Sequence, residues 1–335
     1  MPQIQPIWSR FVRFEAEDGK IYGGQPVDEN QDVGLASLTP STTPILVKVL
    51  DSSSPLALDA KFTGETVVAK RILSPLTEEQ VGTIRCVGLN YHDHGVSEQS
   101  IRLIRPLVLG HSRRRKPVGG IYMNTSELKT PTLQAELHFD IPSDPAIFLK
   151  PSTTLSGPTT PITIPKTLTG IDFEVELAVI IGRTCKNATL DNALDYVLGY
   201  TVSNDVSARG VQFQTSQFCY AKGFDGFAPL GPVIVSGGGI PDPQVMEVRT
   251  VLNGEVMQKS NTANMIFSVR QIVAHLSRGS TLPAGTVIMT GTPGGIGHSR
   301  TPPVYLKEGD ELRISISHGL GTLVNPIVDE KDDSS

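Results

Sequence analysis

Cysteine is scarce in this chain: Cys86, Cys185 and Cys219 are the only three in 335 residues, widely separated and without a CxxC pair. That excludes a disulfide-stapled fold, and the three read as buried thiols in a reducing compartment. No stretch approaches the ~18 consecutive apolar residues of a membrane span. Neither sign of charge dominates. Lys and Arg number 29 against 34 Asp and Glu, a net charge of −5, which argues against nucleic acid as the partner. The opening MPQIQPIWSRFVRFEAEDGK has no apolar signal core and meets acidic residues early, so neither a secretory signal nor a typical transit peptide is read there. The expected location is the cytoplasm, with the mitochondrion left open. Two catalytic signatures are also missing. There is no G-x-S-x-G nucleophile elbow, and GTPGGIG at 291–297 lacks the Gly-Lys-Ser/Thr ending of a phosphate loop. Cys219 has no activating partner in sequence and reads as core.

What is present is a globular composition, 39% hydrophobic and 19% charged, in a chain long enough for one large domain and a small appendage. Residues 7–75 alternate short apolar runs (WSRFVRFE, ILVKVL, ETVVAKRIL) with Gly- and Pro-rich turns, which predicts a small β-rich N-terminal module over 1–78. From Thr83 the apolar runs lengthen: TIRCVGLNY, FEVELAVIIG, GYTVSND, LGPVIVSG, EVRTVLNG, GTVIMTG and DELRISI. Helical spacing is clear in one place, where Ile266, Val269, Ile272, Val273 and Leu276 recur at i, i+3, i+4 and Gly279 supplies a stop. A shorter helix is expected at 190–197, capped by Thr189. The fold class is therefore mainly β with a few helices (α+β), ending in a disordered tail at 329–335.

Within IDFEVELAVIIG, Glu174 and Glu176 alternate with Phe173, Val175 and Leu177, so on a strand both carboxylates leave from one face, ~7 Å apart. Two adjacent carboxylates repel, and in an apolar strand their desolvation is costly without a cation. Asp205 ends the later strand GYTVSND, and a neighbouring strand can bring it beside the pair. Three hard oxygen ligands suit Mg²⁺ or Mn²⁺, with positions left for water and substrate. The same E-x-E pattern fits a wet sheet edge equally well.

The runs VGLNYHDH, FEVELAVIIG, GYTVSNDVSARG, KGFDGFAPLGP, NGEVMQKSNTANMIF and GTVIMTGTPGGIG occur in this order over residues 83–328. In that order they resemble the fumarylacetoacetate hydrolase family, in its smaller acylpyruvase-like branch. The resemblance implies a mixed β-roll catalytic domain over 83–328, preceded by the small β module, and a homodimer. It implies that Glu174, Glu176 and Asp205 hold a divalent cation, usually Mg²⁺, with Mn²⁺ or Ca²⁺ as substitutes. It further implies that Lys222 stabilises an oxyanion or enolate, that Gln212 contacts substrate, and that Thr292 binds a substrate carboxylate with help from amides of the Gly-rich turn. Taken alone, Lys222 reads as a surface lysine, and Gln212 and Thr292 as ordinary hydrogen-bonding residues.

The family pattern NYxxHxxE places a water-activating His and Glu three residues apart. Here NYHDHG supplies His94, but Ser97 stands where Glu is expected. Residues 96–134 carry Arg102, Arg105, Arg113, Arg114, Arg115, Lys116 and Lys129 against Glu98 and Glu127, and follow neither period 2 nor period 3.6. With this segment removed, Glu136 lands three places after His94 and the pattern is restored. We read 96–134 as translated intron sequence or another gene-model error; a basic surface loop meeting an anionic partner is the alternative. If the segment is retained, either Glu98 replaces Glu136 or the split pair leaves the protein inactive. The resulting expectation is a Mg²⁺-dependent hydrolase that cleaves a carbon–carbon bond in a 2,4-dioxo acid, a small oxo-carboxylate. Oxaloacetate decarboxylation or keto–enol tautomerisation at the same site is the other reading.

Overall fold

The structure is a computed structural model and describes residues 2–92 and 142–331. The N-terminal part forms β1 (Arg10–Ala16), β2 (Ile21–Pro26), β3 (Ile45–Leu50), β4 (Phe62–Leu73) and β5 (Ile84–Gly88). After the gap come β6 (Ala146–Lys150), β7 (Leu155–Ser156), β8 (Ile162–Ile164), β9 (Ile171–Asp172), β10 (Val175–Ile181), β11 (Val197–Asn204) and β12 (Ser207–Ala208). The chain finishes with β13 (Ala228–Ser236), β14 (Glu247–Leu252), β15 (Glu255–Asn261), β16 (Val287–Met289), β17 (Glu311–Ile316) and β18 (Gly321–Asp329). The mainly β expectation holds.

The larger sheet runs β2-β3-β4-β1-β13-β11-β10-β16-β5-β6, and a second runs β15-β14-β17-β18-β8. The N-terminal strands join the large sheet through β1, whose Arg10 and Phe11 pair with Val235 and Ile234 of β13. Trp8, Phe11, Ile180, Leu198, Ile234 and Met289 share one buried cluster at this junction. β10 is the central strand. Its seven residues, VELAVII, are all buried, because β11 and β16 flank its edges and apolar side chains cover both faces. The solvent-edge reading of the E-x-E pattern therefore fails: Glu174 and Glu176 are 5% and 1% exposed.

The expected long helix forms at Val269–Ser277, where Ser268 and Gln271 make a reciprocal capping box. Gly279, at φ 67°, ends the turn that follows. Ile266 lies ahead of the helix, its N–H donating to Asn90 O. The second expected helix is only a 3₁₀ turn at Ala193–Tyr196, since Thr189 and Asn192 bond each other across a loop and Thr189 caps nothing. Two further expectations are corrected. Cys86 and Cys185 are buried but Cys219 is exposed, because it opens a one-turn helix, Cys219–Lys222, whose buried residues are Ala221 and Lys222. At the C-terminus Asp329 still belongs to β18, and Glu330 is held by its N–H to Ile164 O and by Lys166 N–H to its Oε2.

Truncating Phe11, fully buried at the β1–β13 seam, is expected to cost about 3–5 kcal/mol. Ser268→Ala, which removes the helix cap, should cost about 1 kcal/mol. Urea unfolding of both variants measures these losses, and a Phe11→Ala cost below that of Ser268→Ala would show that the seam contributes little.

Candidate metal centre and active site

Two neighbouring strand ends converge on one acidic cluster. Glu174 and Glu176 stand at the start of β10, and Asp205 follows the end of β11, which pairs antiparallel to it so that Val175 faces Asn204. Asp205 N–H donates to Glu174 O, and Glu174 N–H to Asn204 Oδ1, fixing the two segments side by side. One carboxylate oxygen from each of Glu174, Glu176 and Asp205 lies within 4.8 Å of the others. Oxygens bound to a single ion at ~2.0–2.6 Å stand no more than about 5 Å apart, so the three fit a shared hard divalent cation. All three are buried.

Cations already surround this cluster. Lys222 Nζ donates to Glu174 Oε2 at 2.9 Å, Asp205 Oδ2 at 2.5 Å and Ser207 Oγ at 2.7 Å. Burial works against its ammonium, but Asp205 and Glu174 outweigh that and raise its pKa, so it stays charged. Lys150, at the end of β6 and 0% exposed, donates to Asp205 Oδ1 at 2.6 Å. Arg209 bonds Glu174 Oε1 at 2.6 Å, Asp172 Oδ2 at 2.9 Å and Gln212 Oε1 at 2.8 Å. Desolvation opposes its charge too, and the nearby Asp172 and Glu174 more than restore it.

The Gly-rich turn after β16 serves the protein's own carboxylates. Gly291 N–H donates to Glu176 Oε2 at 2.7 Å, while Gly297 N–H and His298 N–H donate to Asp172 at 2.8 and 3.0 Å. Gly291 has φ 98°, and a Cβ there would stand 2.6 Å from Asn90 Cβ, so only glycine fits. These three amides are thus taken, and help for a substrate carboxylate has to come from other groups. Thr292 Oγ1 accepts from Gln258 Nε2 at 2.8 Å. Gln258 Oε1 accepts from Val175 N–H and Thr250 Oγ1, which fixes the amide's orientation and leaves the Thr292 hydroxyl proton to point at another acceptor. Gln212 is buried beside Arg209, its Nε2 the donor not engaged by that contact.

Among the sequence-derived candidates, Glu174, Glu176, Asp205 and Lys222 come together directly. Gln212 joins them through Arg209, and Thr292 sits one residue from the amide on Glu176. His94 and Glu136 lie outside the described residues, as does the whole of 96–134. The motif leading toward His94 is anchored, however: Asn90 Nδ2 donates to Phe267 O and Thr290 O, and its Oδ1 accepts from Phe267 N–H. Sequence reasoning missed Lys150, Arg209, Asp172 and Gln258. A polar residue inside an apolar run was the available signal for Lys150, in AIFLK, and Arg209 was visible in the quoted SNDVSARG.

Burial, then Asp205 and Glu174, push the Glu176 carboxyl well above its usual range, against the pull of Lys222 and Gly291 N–H. With a raised folded pKa, the metal-free chain loses stability as pH climbs from the ordinary carboxylate range (~4.3) through the folded value. A divalent cation takes only the ionised form, so it recovers that loss. The rise in melting temperature on adding Mg²⁺ or Mn²⁺ should therefore grow between about pH 5.5 and about pH 8. In Glu176→Gln the increment should be small at both ends, and a wild-type increment independent of pH would mean Glu176 is ionised throughout.

Residues 83–328 match the family model described as fumarylacetoacetate (FAA) hydrolase C-terminal. The chain is 34% identical over 337 residues to a caffeoylpyruvate hydrolase of Neonothopanus nambi, covering 99% of this chain and 97% of that protein. It is 36% identical over 336 residues to the mitochondrial oxaloacetate tautomerase fahd2 of Xenopus laevis, covering 97% and 92%. Among solved structures it resembles a 2-hydroxyhepta-2,4-diene-1,7-dioate isomerase from Mycobacterium marinum, with TM-score 0.70, 31% identity, and 97% and 100% of the two chains covered. A maleylpyruvate hydrolase from Sphingobium sp. SYK-6, solved with manganese(II) and pyruvate, aligns with TM-score 0.56 and 25% identity over 79% and 77% of the chains. With most of its length matched by the family model and nearly all of it by these relatives, the chain belongs to the fumarylacetoacetate hydrolase family of enzymes.

Proposed function

We propose that this enzyme hydrolyses a carbon–carbon bond in a 2,4-dioxo acid of the acylpyruvate or fumarylpyruvate type, using Mg²⁺, with Mn²⁺ as a substitute. The observation that carries the reading is the buried triad of Glu174, Glu176 and Asp205 with the Lys222 ammonium on two of its members. Held by that triad, the divalent ion would supply Lewis-acid polarisation of the substrate's 2-oxo group. Lys222 brings a positive charge to the side on which the enolate oxygen develops, and because its three partners are side-chain oxygens one N–H can be exchanged to that oxygen. Gln212 and the Thr292 hydroxyl orient the acid's carboxylate. His94, paired with Glu136, takes a proton from water as its oxygen bonds to the distal carbonyl carbon. The carbon–carbon bond then breaks with its electron pair passing to the enolate, which is protonated at carbon to give a 2-oxo acid beside the released carboxylic acid. We take the working assembly to be a homodimer in the cytoplasm. Among the described residues no helix is long and apolar enough to cross a membrane.

A second reading is keto–enol tautomerisation, or decarboxylation, of oxaloacetate. It is favoured by the likeness to the Xenopus laevis tautomerase over nearly the whole chain. Either reaction needs the triad and Lys222 but no attacking water, and so no His94–Glu136 pair.

Turnover of acylpyruvates and of oxaloacetate by the purified chain, with and without residues 96–134, separates the readings. Acylpyruvate cleavage is expected, and chelation or Glu174→Ala should lower it by on the order of 10²–10³-fold. Oxaloacetate turnover with no acylpyruvate cleavage would select the second reading. Metal binding with no turnover by the full-length chain, but activity after excision, would show that the segment disables the site.

A further inference from the structure

The two buried lysines on Asp205 differ in what else they touch. Lys222 spends its three N–H groups on side chains: Glu174 Oε2, Asp205 Oδ2 and Ser207 Oγ. Lys150 spends one on Asp205 Oδ1 at 2.6 Å and the other two on backbone carbonyls, Phe227 O at 2.7 Å and Val206 O at 3.3 Å. Side chains re-orient when a ligand arrives, whereas these carbonyls belong to fully buried backbone, where Val206 N–H also donates to Phe227 O, and have little freedom to move. The Lys150 ammonium is therefore a fixed point. It is carried on β6, the strand at the end of the large sheet remote from β2, and reaches the turn between β11 and β12 and the residue preceding β13.

We propose that Lys150 is the positioning residue of the metal centre. By holding Asp205 Oδ1 it fixes the carboxylate's rotation and turns Oδ2, the oxygen bonded to Lys222, into the triad. Held this way, Asp205 would offer a bound ion one oxygen rather than two, and so would leave room for a chelating oxo acid. Lys150 holds the ligand and Lys222 responds to the substrate. This inference rests on the reading that the triad binds a divalent cation, but its test reads metal binding and not turnover.

The experiment is a Mn²⁺ titration by electron paramagnetic resonance on the full-length chain, comparing wild type, Lys150→Met, Lys150→Arg and Arg10→Met. Lys150→Met keeps the length of the side chain and removes the charge. It should weaken Mn²⁺ binding about tenfold or more and lower kcat more than it raises KM. Lys150→Arg keeps the charge but presents it on a planar fork, and should fold even if Lys150→Met does not, with Mn²⁺ binding weakened at least about threefold. Arg10→Met removes a buried cation whose bonds run to Gly319 O, Glu29 O and Gln31 O, away from the triad, and controls for general destabilisation. It should lower the melting temperature without changing Mn²⁺ affinity. If the folded Lys150 variants bind Mn²⁺ within about twofold of wild type, or if Arg10→Met weakens binding as much as they do, the proposal is wrong. A wild-type chain that takes up no Mn²⁺ overturns the metal reading and this inference with it, whereas unaltered binding in the variants overturns this inference alone.

Discussion

Four carboxylates and three cations share one water-poor volume, and their mutual compensation is the constraint on which the rest of the molecule depends. Asp172, Glu174, Glu176 and Asp205 face Lys150, Lys222 and Arg209, all of them buried. Each such charge would be costly to desolvate alone, and together they are tolerable because nearly every oxygen has a donor within hydrogen-bonding distance. With every group ionised one negative charge is left over, and burial, joined by the neighbouring Asp205 and Glu174, raises the pKa of the Glu176 carboxyl. A divalent cation placed among the three triad oxygens would change the sign of that imbalance and favour the ionised form of Glu176.

The sheet explains how these charges are brought together without water. β10, covered on both faces, carries Glu176 and is entered through Glu174, and the antiparallel β11 leads directly into Asp205 beside them. The Gly-rich turn then closes over the cluster with backbone N–H groups pointed at Glu176 and Asp172. Its glycines are needed for close approach: a Cβ at Gly291 would collide with Asn90, which itself staples the turn to the segment ahead of the long helix. The turn that looks at first like a phosphate loop is in fact the lid on an internal carboxylate network.

Much of this was legible beforehand where the sequence pattern maps directly onto geometry. Period-2 alternation places Glu174 and Glu176 on one face whatever the rest of the fold does, and the long apolar runs beginning at Thr83 became β5, β10, β11, β13, β14, β16 and β17 with only small boundary changes. The strands β15 and β18 were less visible, since EVMQKSN is largely polar and GTLVNPIVD carries a proline. Thr189 was read as a helix cap because its residue type favours caps, but Asn192 offered it a competing loop bond. The lack of an activating partner in sequence suggests core for Cys219, but it carries no information about which face of a one-turn helix the residue takes.

The chain's order of residues determined by itself that the protein is mainly β and that a pair of acids leaves one strand face, because local alternation acts over a few residues. Only the tertiary structure decided that this face is buried, that cations lie against it and which charged groups these are. Lys150, Arg209 and Asp172 are separated from their partners by 55, 35 and 125 residues in the contacts that matter. A lysine in an apolar run or an arginine after a strand is chemically ambiguous until the sheet closes, when the distance to a carboxylate and the absence of water turn it from a surface charge into part of the site.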